Sequence, residues 1–279
     1  MITTRSNPGH HSTPSSSPRG QSTMSPAMAK MEAYPAYLLN QVSAALGNRV
    51  WEIGVGNGQT ARHLLRQGRF VLGTDIDEEC LNSLRVSMLQ EPSEQAQRLS
   101  VAHCNLEDPG TMASLLPFRA DSVVCFNVLE HISEDRRALR AIHDTVAPNA
   151  RLGIIVPAHE RLYGRMDQEA GHYRRYSRSS LRNALRDSGW HVNTCRYINA
   201  LGAVGWWYHN RWRRSAGLRD EQVNQQMLAA DRWLPKIAFW TDPCFRRWFG
   251  LSVVAIATAG PRTNRQQTPL LGQPSLIAN

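Results

Sequence analysis

Glu52, Gly54, Gly56 and Gly58 stand at alternate positions in a run of the form E-x-G-x-G-x-G. Glycines at that spacing let the backbone turn sharply and approach a bound molecule closely, because they carry no Cβ to hold it off. The run lies where a β-rich stretch gives way to a helical one, and ligands of open α/β sheets sit outside the carboxyl ends of the strands. The turn is therefore a cofactor site. The dinucleotide fingerprint G-x-G-x-x-G needs glycine at 59, where the chain has Gln59, and no G-x-x-x-x-G-K-S/T phosphate loop occurs. Roughly twenty residues further on, Gly73-Thr74-Asp75-Ile76-Asp77 closes a second apolar run, at the distance where nucleoside-binding acids occur. A carboxylate there can accept two hydrogen bonds from a ribose diol, a role that fits Asp75. Asp77 directly precedes Glu78 and suits a helix N-cap instead.

These residues need elements to hold them. Strand-like runs fall at 49–55, 70–74, 99–104, 122–128, 152–156, 191–198 and 251–258, and helical stretches at 59–67, 78–90, 134–146 and 177–187. Upstream, Tyr34, Tyr37, Leu38, Val42, Ala45 and Leu46 recur at the spacing of one helix face. Strands alternating with helices of ten or so residues build βαβ units. The expected fold is thus α/β, a Rossmann-like, mainly parallel sheet of seven strands with helices on both faces. Residues 157–176, rich in Tyr, Arg and His, read as an active-site loop, and 203–248 read as a helical insertion before the last strand. Residues 1–28, dominated by Ser, Thr, Pro, Gly and Arg, cannot bury enough apolar area to order themselves and read as a tail. One domain spans 29–262, with an N-terminal helix over 29–48, and 263–279 form a second loose tail.

The chain of 279 residues is 42% hydrophobic and carries a net charge of +9, enough apolar content for a core. Its basic residues are 30 Arg and 2 Lys, and residues 1–150 hold 13 basic and 15 acidic side chains against 19 and 8 in the remainder. The positive field belongs to the second half. Five cysteines, none at C-x-x-C spacing, argue against a disulfide framework or a zinc site, and no metal is expected. No apolar run suits a signal sequence or a membrane span, which points to a cytoplasmic protein.

Three further motifs sharpen the reading. The fourth strand runs into Asn127-Val128-Leu129-Glu130-His131-Ile132, the fifth ends in Val156-Pro157-Ala158, and then come Leu162-Tyr163-Gly164-Arg165-Met166-Asp167 and Gly171-His172-Tyr173-Arg174-Arg175-Tyr176-Ser177. With the glycine turn, this set resembles a branch of small bacterial class I S-adenosylmethionine-dependent methyltransferases over about 49–190. The pattern departs at Trp51, where the family usually has Leu, and at Asn149-Ala150, where it usually has two glycines. The resemblance implies a cofactor site built from Glu52, Gly54, Gly56, Asp75, Ile76, Asn105, Leu106, Asn127 and Leu129. Asn105 stands where Asp is more usual, beside an apolar neighbour for the adenine ring.

A sulfonium methyl is already electrophilic, so such an enzyme mainly aligns nucleophile, carbon and sulfur. A base is needed only where the acceptor must lose a proton. His172 is the first candidate and Asp167 the second, with Glu169 and His131 nearby. The alternative is that His172 and Arg175 tie the loop to the sheet by hydrogen bonds. Six of the eight tryptophans lie in 201–248, which suits a lid over an aromatic acceptor. Acceptor contacts are expected from Tyr34, Tyr163, Met166, Tyr173, Arg175, Trp206 and Trp207. The expected reaction is O-, N- or C-methylation of a small aromatic or hydrophobic metabolite, such as a secondary natural product. A lipid-linked or quinone-like acceptor at a membrane surface and a nucleotide-cofactor oxidoreductase are the alternatives, the latter disfavoured by Gln59. A homodimer is a further option for the Trp-rich face, and the absence of an N-P-P-Y-like tetrad after the fourth strand argues against nucleic acid.

Overall fold

The structure, a computed structural model, describes residues 25–212 and 219–261. Seven strands, β1 (Arg49–Ile53), β2 (Phe70–Asp75), β3 (Leu99–His103), β4 (Ser122–Phe126), β5 (Arg151–Pro157), β6 (Trp190–Ile198) and β7 (Ser252–Ala259), form one sheet in the order β3-β2-β1-β4-β5-β7-β6. All pairings are parallel except those of β7, which runs antiparallel to β5 and β6. The expected Rossmann-like sheet is the one observed. β4 and β5 are buried along almost their whole length, as strands covered on both faces must be.

Helices α1 (Ala33–Gln41), α2 (Gln59–Arg66), α3 (Glu78–Met88), α4 (Ser93–Gln97), α5 (Pro109–Ala113), α6 (Asp135–Thr145), α7 (Arg165–Ala170) and α8 (Arg178–Asp187) fill the connections. The described residues of the 203–248 insertion include three helices, the first beginning slightly earlier: α9 (Ala200–Trp212), α10 (Glu221–Asp231) and α11 (Leu234–Phe245). Two apolar clusters cover the two faces of the sheet. Both departures from the family pattern are accommodated. Trp51 is buried with its indole N–H donating to Thr74 Oγ1 at 2.9 Å, and Asn149 supplies the turn with φ +61°, a conformation Asn tolerates better than most residues.

Several boundaries differ from expectation for tertiary reasons. The amino-terminal helix stops at Gln41 rather than continuing to Leu46; a short 3-10 turn, Ser43–Ala45, follows. Residues 25–28 belong to the fold and not to a tail: Ser25 donates to Asn224 Oδ1 and Ala27 N–H donates to the same oxygen at 2.9 Å. Asp231 of α10 caps α1 from across the molecule, accepting from the N–H groups of Glu32, Ala33 and Tyr34 at 3.0, 3.1 and 2.7 Å. The 157–176 loop holds the short helix α7. Four cysteines are buried and Cys244 is exposed. No helix among the described residues is long and apolar enough to cross a membrane. Residues 1–24, 213–218 and 262–279, and the side chains of residues 208–212, lie outside the described part of the chain.

Candidate active site

β1 and its neighbour β4 feed crossovers that leave in opposite directions along the sheet, and at that switch point outside the carboxyl ends lies a cavity of about 270 Å³. Its floor is the glycine turn. Gly54, Gly56 and Gly58 take φ of +73°, +48° and +72°, the left-handed region that side chains disfavour. A Cβ on Gly54 would meet Val128 Cγ2 at 2.4 Å, and one on Gly58 would meet Leu84 Cδ1 at 2.4 Å. The N–H groups of Gly54 and Val55 donate to Thr74 O at 2.8 and 2.9 Å, which clips the turn to β2.

Asp75 closes the arrangement. Its Oδ2 accepts from Gly56 N–H at 2.9 Å and its Oδ1 from Asp77 N–H at 3.0 Å, so one carboxylate ties the tip of β2 to the turn after β1. Asp77 is the N-cap of α3, accepting from Glu79 N–H at 2.9 Å. Burial raises the Asp75 carboxyl above its ordinary range. Glu52, buried on the cavity wall, has an Oε2 with no hydrogen-bond partner among the described residues, and burial, then the neighbouring Asp75 charge, push its carboxyl well up. An orphaned buried oxygen facing a cavity is a docking point for a donor or cation.

Glu52, Gly54, Gly56, Asp75, Ile76, Asn105, Leu106 and Asn127 all line this cavity, as do Tyr34 and Tyr173. Asn105 Oδ1 also accepts from Glu107 N–H at 3.0 Å. Leu129, expected beside the cofactor, is instead fully buried in the core below the wall. Met166 is likewise buried away from the cavity. Trp206 and Trp207 do not line it either: the Trp206 indole N–H donates to Leu162 O at 3.3 Å and its ring stacks under the Arg175 guanidinium, while Trp207 is half exposed. The apolar wall comes from Met28, Met31, Tyr34, Pro35 and Leu38. All but Tyr34 escape a reading of the sequence as site residues because nothing local marks them; they reach the site only through the long-range capping of α1 by α10.

Behind the wall at Gly171 and Tyr173 sits a charged cluster. Asp167 is wholly buried; its Oδ1 faces His172 Nδ1 at 2.8 Å and accepts from Arg175 Nε at 2.8 Å, and its Oδ2 accepts from Gly164 N–H at 2.9 Å. Burial alone would raise its carboxyl, but His172 and Arg175 hold it below the usual range. Arg175 also donates to Ala158 O at 3.1 Å, and Tyr163 OH donates to His172 O at 2.8 Å. His131 lines the cavity with its ring edge-on to His172, centroids 4.7 Å apart, and burial, then His172, lower its pKa to about 4. Burial lifts the neighbouring Glu130 to about 7.

A family model described as a methyltransferase domain matches residues 28–194, more than half of the chain. The chain belongs to the methyltransferase-domain family. This methyltransferase is 30% identical over 118 residues to the ubiquinone biosynthesis O-methyltransferase of Aeromonas salmonicida, a match that covers 42% of this chain and 47% of that protein. The chain thus spans about half the length of the curated relatives it matches. Among solved structures, a putative sarcosine dimethylglycine methyltransferase from Galdieria sulphuraria superposes with a TM-score of 0.54 at 10% identity, over 82% of this chain and 85% of that one. Phosphoethanolamine N-methyltransferase 2 of Haemonchus contortus, in complex with S-adenosyl-L-methionine, superposes with a TM-score of 0.50 at 16% identity, over 80% and 53%. At such identities the likeness is one of fold.

Proposed function

We propose that this methyltransferase moves a methyl group from S-adenosylmethionine to a small aromatic or hydrophobic acceptor. One observation carries the reading: a single cavity joins a carboxylate-clipped glycine turn to an apolar wall made by Met28, Met31, Tyr34, Pro35 and Leu38. The methyl donor is S-adenosylmethionine, which when bound supplies a sulfonium methyl that needs no further activation. The residues present fit it. Asp75 keeps a lone pair on each oxygen and would accept from the ribose hydroxyls. Asn105 would meet the adenine edge with Leu106 and Ile76 against the ring, and the orphaned Glu52 oxygen would take the amino group. Rate enhancement then comes chiefly from alignment and water exclusion, which well-oriented systems turn into about 7–11 kcal/mol.

Asp167, fully buried and facing three donors, positions His172 and does not itself meet the acceptor. His172 stands one layer behind Tyr173, which favours the loop-tying role over direct proton abstraction.

Asp75→Ala should weaken S-adenosylmethionine binding by roughly 1.5–3 kcal/mol, the range for hydrogen bonds to a charged group. Calorimetry on the folded variant checks this, and unchanged affinity removes the assignment. On the acceptor side, Met31→Ala should raise the acceptor KM about tenfold, or ~1.4 kcal/mol, with cofactor affinity altered less than about threefold. Trp206→Ala should leave the acceptor KM within about threefold, because the ring packs on Arg175 outside the cavity. Transfer of labelled methyl to a panel of phenolic acceptors measures both.

A second reading, in which the acceptor is lipid-linked or quinone-like, is favoured by two exposed apolar stripes. Leu201, Val204 and Trp207 follow one another on α9, and Trp233, Ile237 and Trp240 run along the start of α11, which packs against α9. Exposed tryptophan near basic residues suits a membrane interface. Including isoprenylated phenols in vesicles in the same panel separates the two readings.

A further inference from the structure

Glu130 is out of place as an ordinary core residue. It follows β4 in the short turn Leu129–His131, is fully buried, and neither carboxylate oxygen has a hydrogen-bond partner in another of the described residues. The His172 imidazole Nε2 lies 4.0 Å from Oε1, beyond hydrogen-bonding reach. A buried carboxylate left in that state costs several kcal/mol.

Two imidazoles converge on the same place. His172 presents Nε2 toward Glu130 because its Nδ1 is held by the buried Asp167, the outer carboxylate arrangement that orients a metal-binding histidine. The His131 ring stands edge-on to His172 and is in hydrogen-bonding contact with the backbone carbonyls of Gly171 and Ala170. One donor atom from each of Glu130, His131 and His172 lies within 4.8 Å of the others. Tetrahedral ligands around one ion at about 2.1 Å stand about 3.4 Å apart, so the widest-spaced pair must draw together by up to roughly 1.4 Å, shared between the two side chains.

We propose that Glu130, His131 and His172 form a divalent metal site of the two-histidine, one-carboxylate type, selective for zinc and neighbouring first-row ions over magnesium or calcium. Two imidazoles among three protein ligands set that preference, since hard cations take oxygen. The cation provides the positive charge that the buried Glu130 lacks. Because His131 also lines the cavity, an ion held here would border the place assigned above to the acceptor, and an acceptor oxygen could complete its shell. That last step rests on the methyl-transfer reading; the metal site does not.

The full chain, stripped with a chelator and checked for retained folding, is titrated with Zn²⁺ and with Co²⁺, the latter followed by its visible absorption. The expected result is one equivalent per chain at this site, with Glu130→Gln lowering affinity by at least about tenfold, since loss of even an outer partner reaches that size. Failure of the folded wild-type chain to bind either ion overturns the proposal, as does Glu130→Gln binding like wild type, which would place the ion on other histidines. If Glu130→Gln does not fold, His131→Ala takes its place: weakened binding supports the site and wild-type binding overturns it. S-adenosylmethionine affinity measured on the same samples reports separately on the methyl-transfer reading: cofactor binding without metal binding sinks only the metal site, and the reverse sinks only that reading.

Discussion

Replacing Gly56 by valine should cut S-adenosylmethionine affinity at least a hundredfold, about 2.8 kcal/mol, while leaving a folded protein. Two effects act together. Gly56 holds φ +48°, where a β-branched side chain is strained by about 1–3 kcal/mol. Relaxing that strain moves the N–H that donates to Asp75 Oδ2 at 2.9 Å, and with it the carboxylate that would hold the ribose. Gly54 makes a useful contrast, because its Cβ would strike Val128 Cγ2 at 2.4 Å. Gly54→Val should therefore lower the melting temperature as well as the affinity. Calorimetry and thermal unfolding on both variants separate the cases; normal cofactor binding by Gly56→Val would mean that the site lies elsewhere.

The second large effect concerns stability. Asp167→Ala should destabilise the fold by about 3–5 kcal/mol, the range for breaking a buried ion pair by removing one partner. The variant strands the buried Arg175 guanidinium, frees His172 Nδ1 and leaves the Gly164 N–H without its acceptor. Denaturant unfolding measures the loss. Adding Arg175→Met should recover part of it, because the two side chains are coupled and their effects do not add. A loss below about 1 kcal/mol for Asp167→Ala alone would show that the pair contributes little and that the loop is held by other contacts.

The proposed cofactor half of the site is legible along the chain because it is built from local signals. Alternating glycines, a carboxylate at the next strand tip, and Asn105-Leu106 after the third strand each sit at the end of one element, and periodicity alone locates those ends. Once the strands are parallel, their carboxyl tips must come together on one edge, so Glu52, Asp75, Asn105 and Asn127 meet without further instruction. Local signals fail where side-chain direction depends on the packed fold. The motif around Leu129 suggests a cofactor contact, yet the 3-10 turn points it into the core.

The proposed acceptor half depends on packing that no local pattern encodes. Tryptophan content singles out the insertion, but burial and hydrogen bonding put Trp206 on Arg175 and leave Trp207 at the surface. Met28 and Met31 become the wall because Asp231 and Asn224 hold the amino-terminal segment from nearly two hundred residues away. Glu130 and His131 carry the same letters in the motif whether or not they meet His172. Strand and helix periods are properties of neighbouring residues, so the sheet and its glycine turn can be read in order along the chain. Which side chains share a buried charge, and which close the cavity, depends on long-range contacts whose energies exist only once the chain has folded.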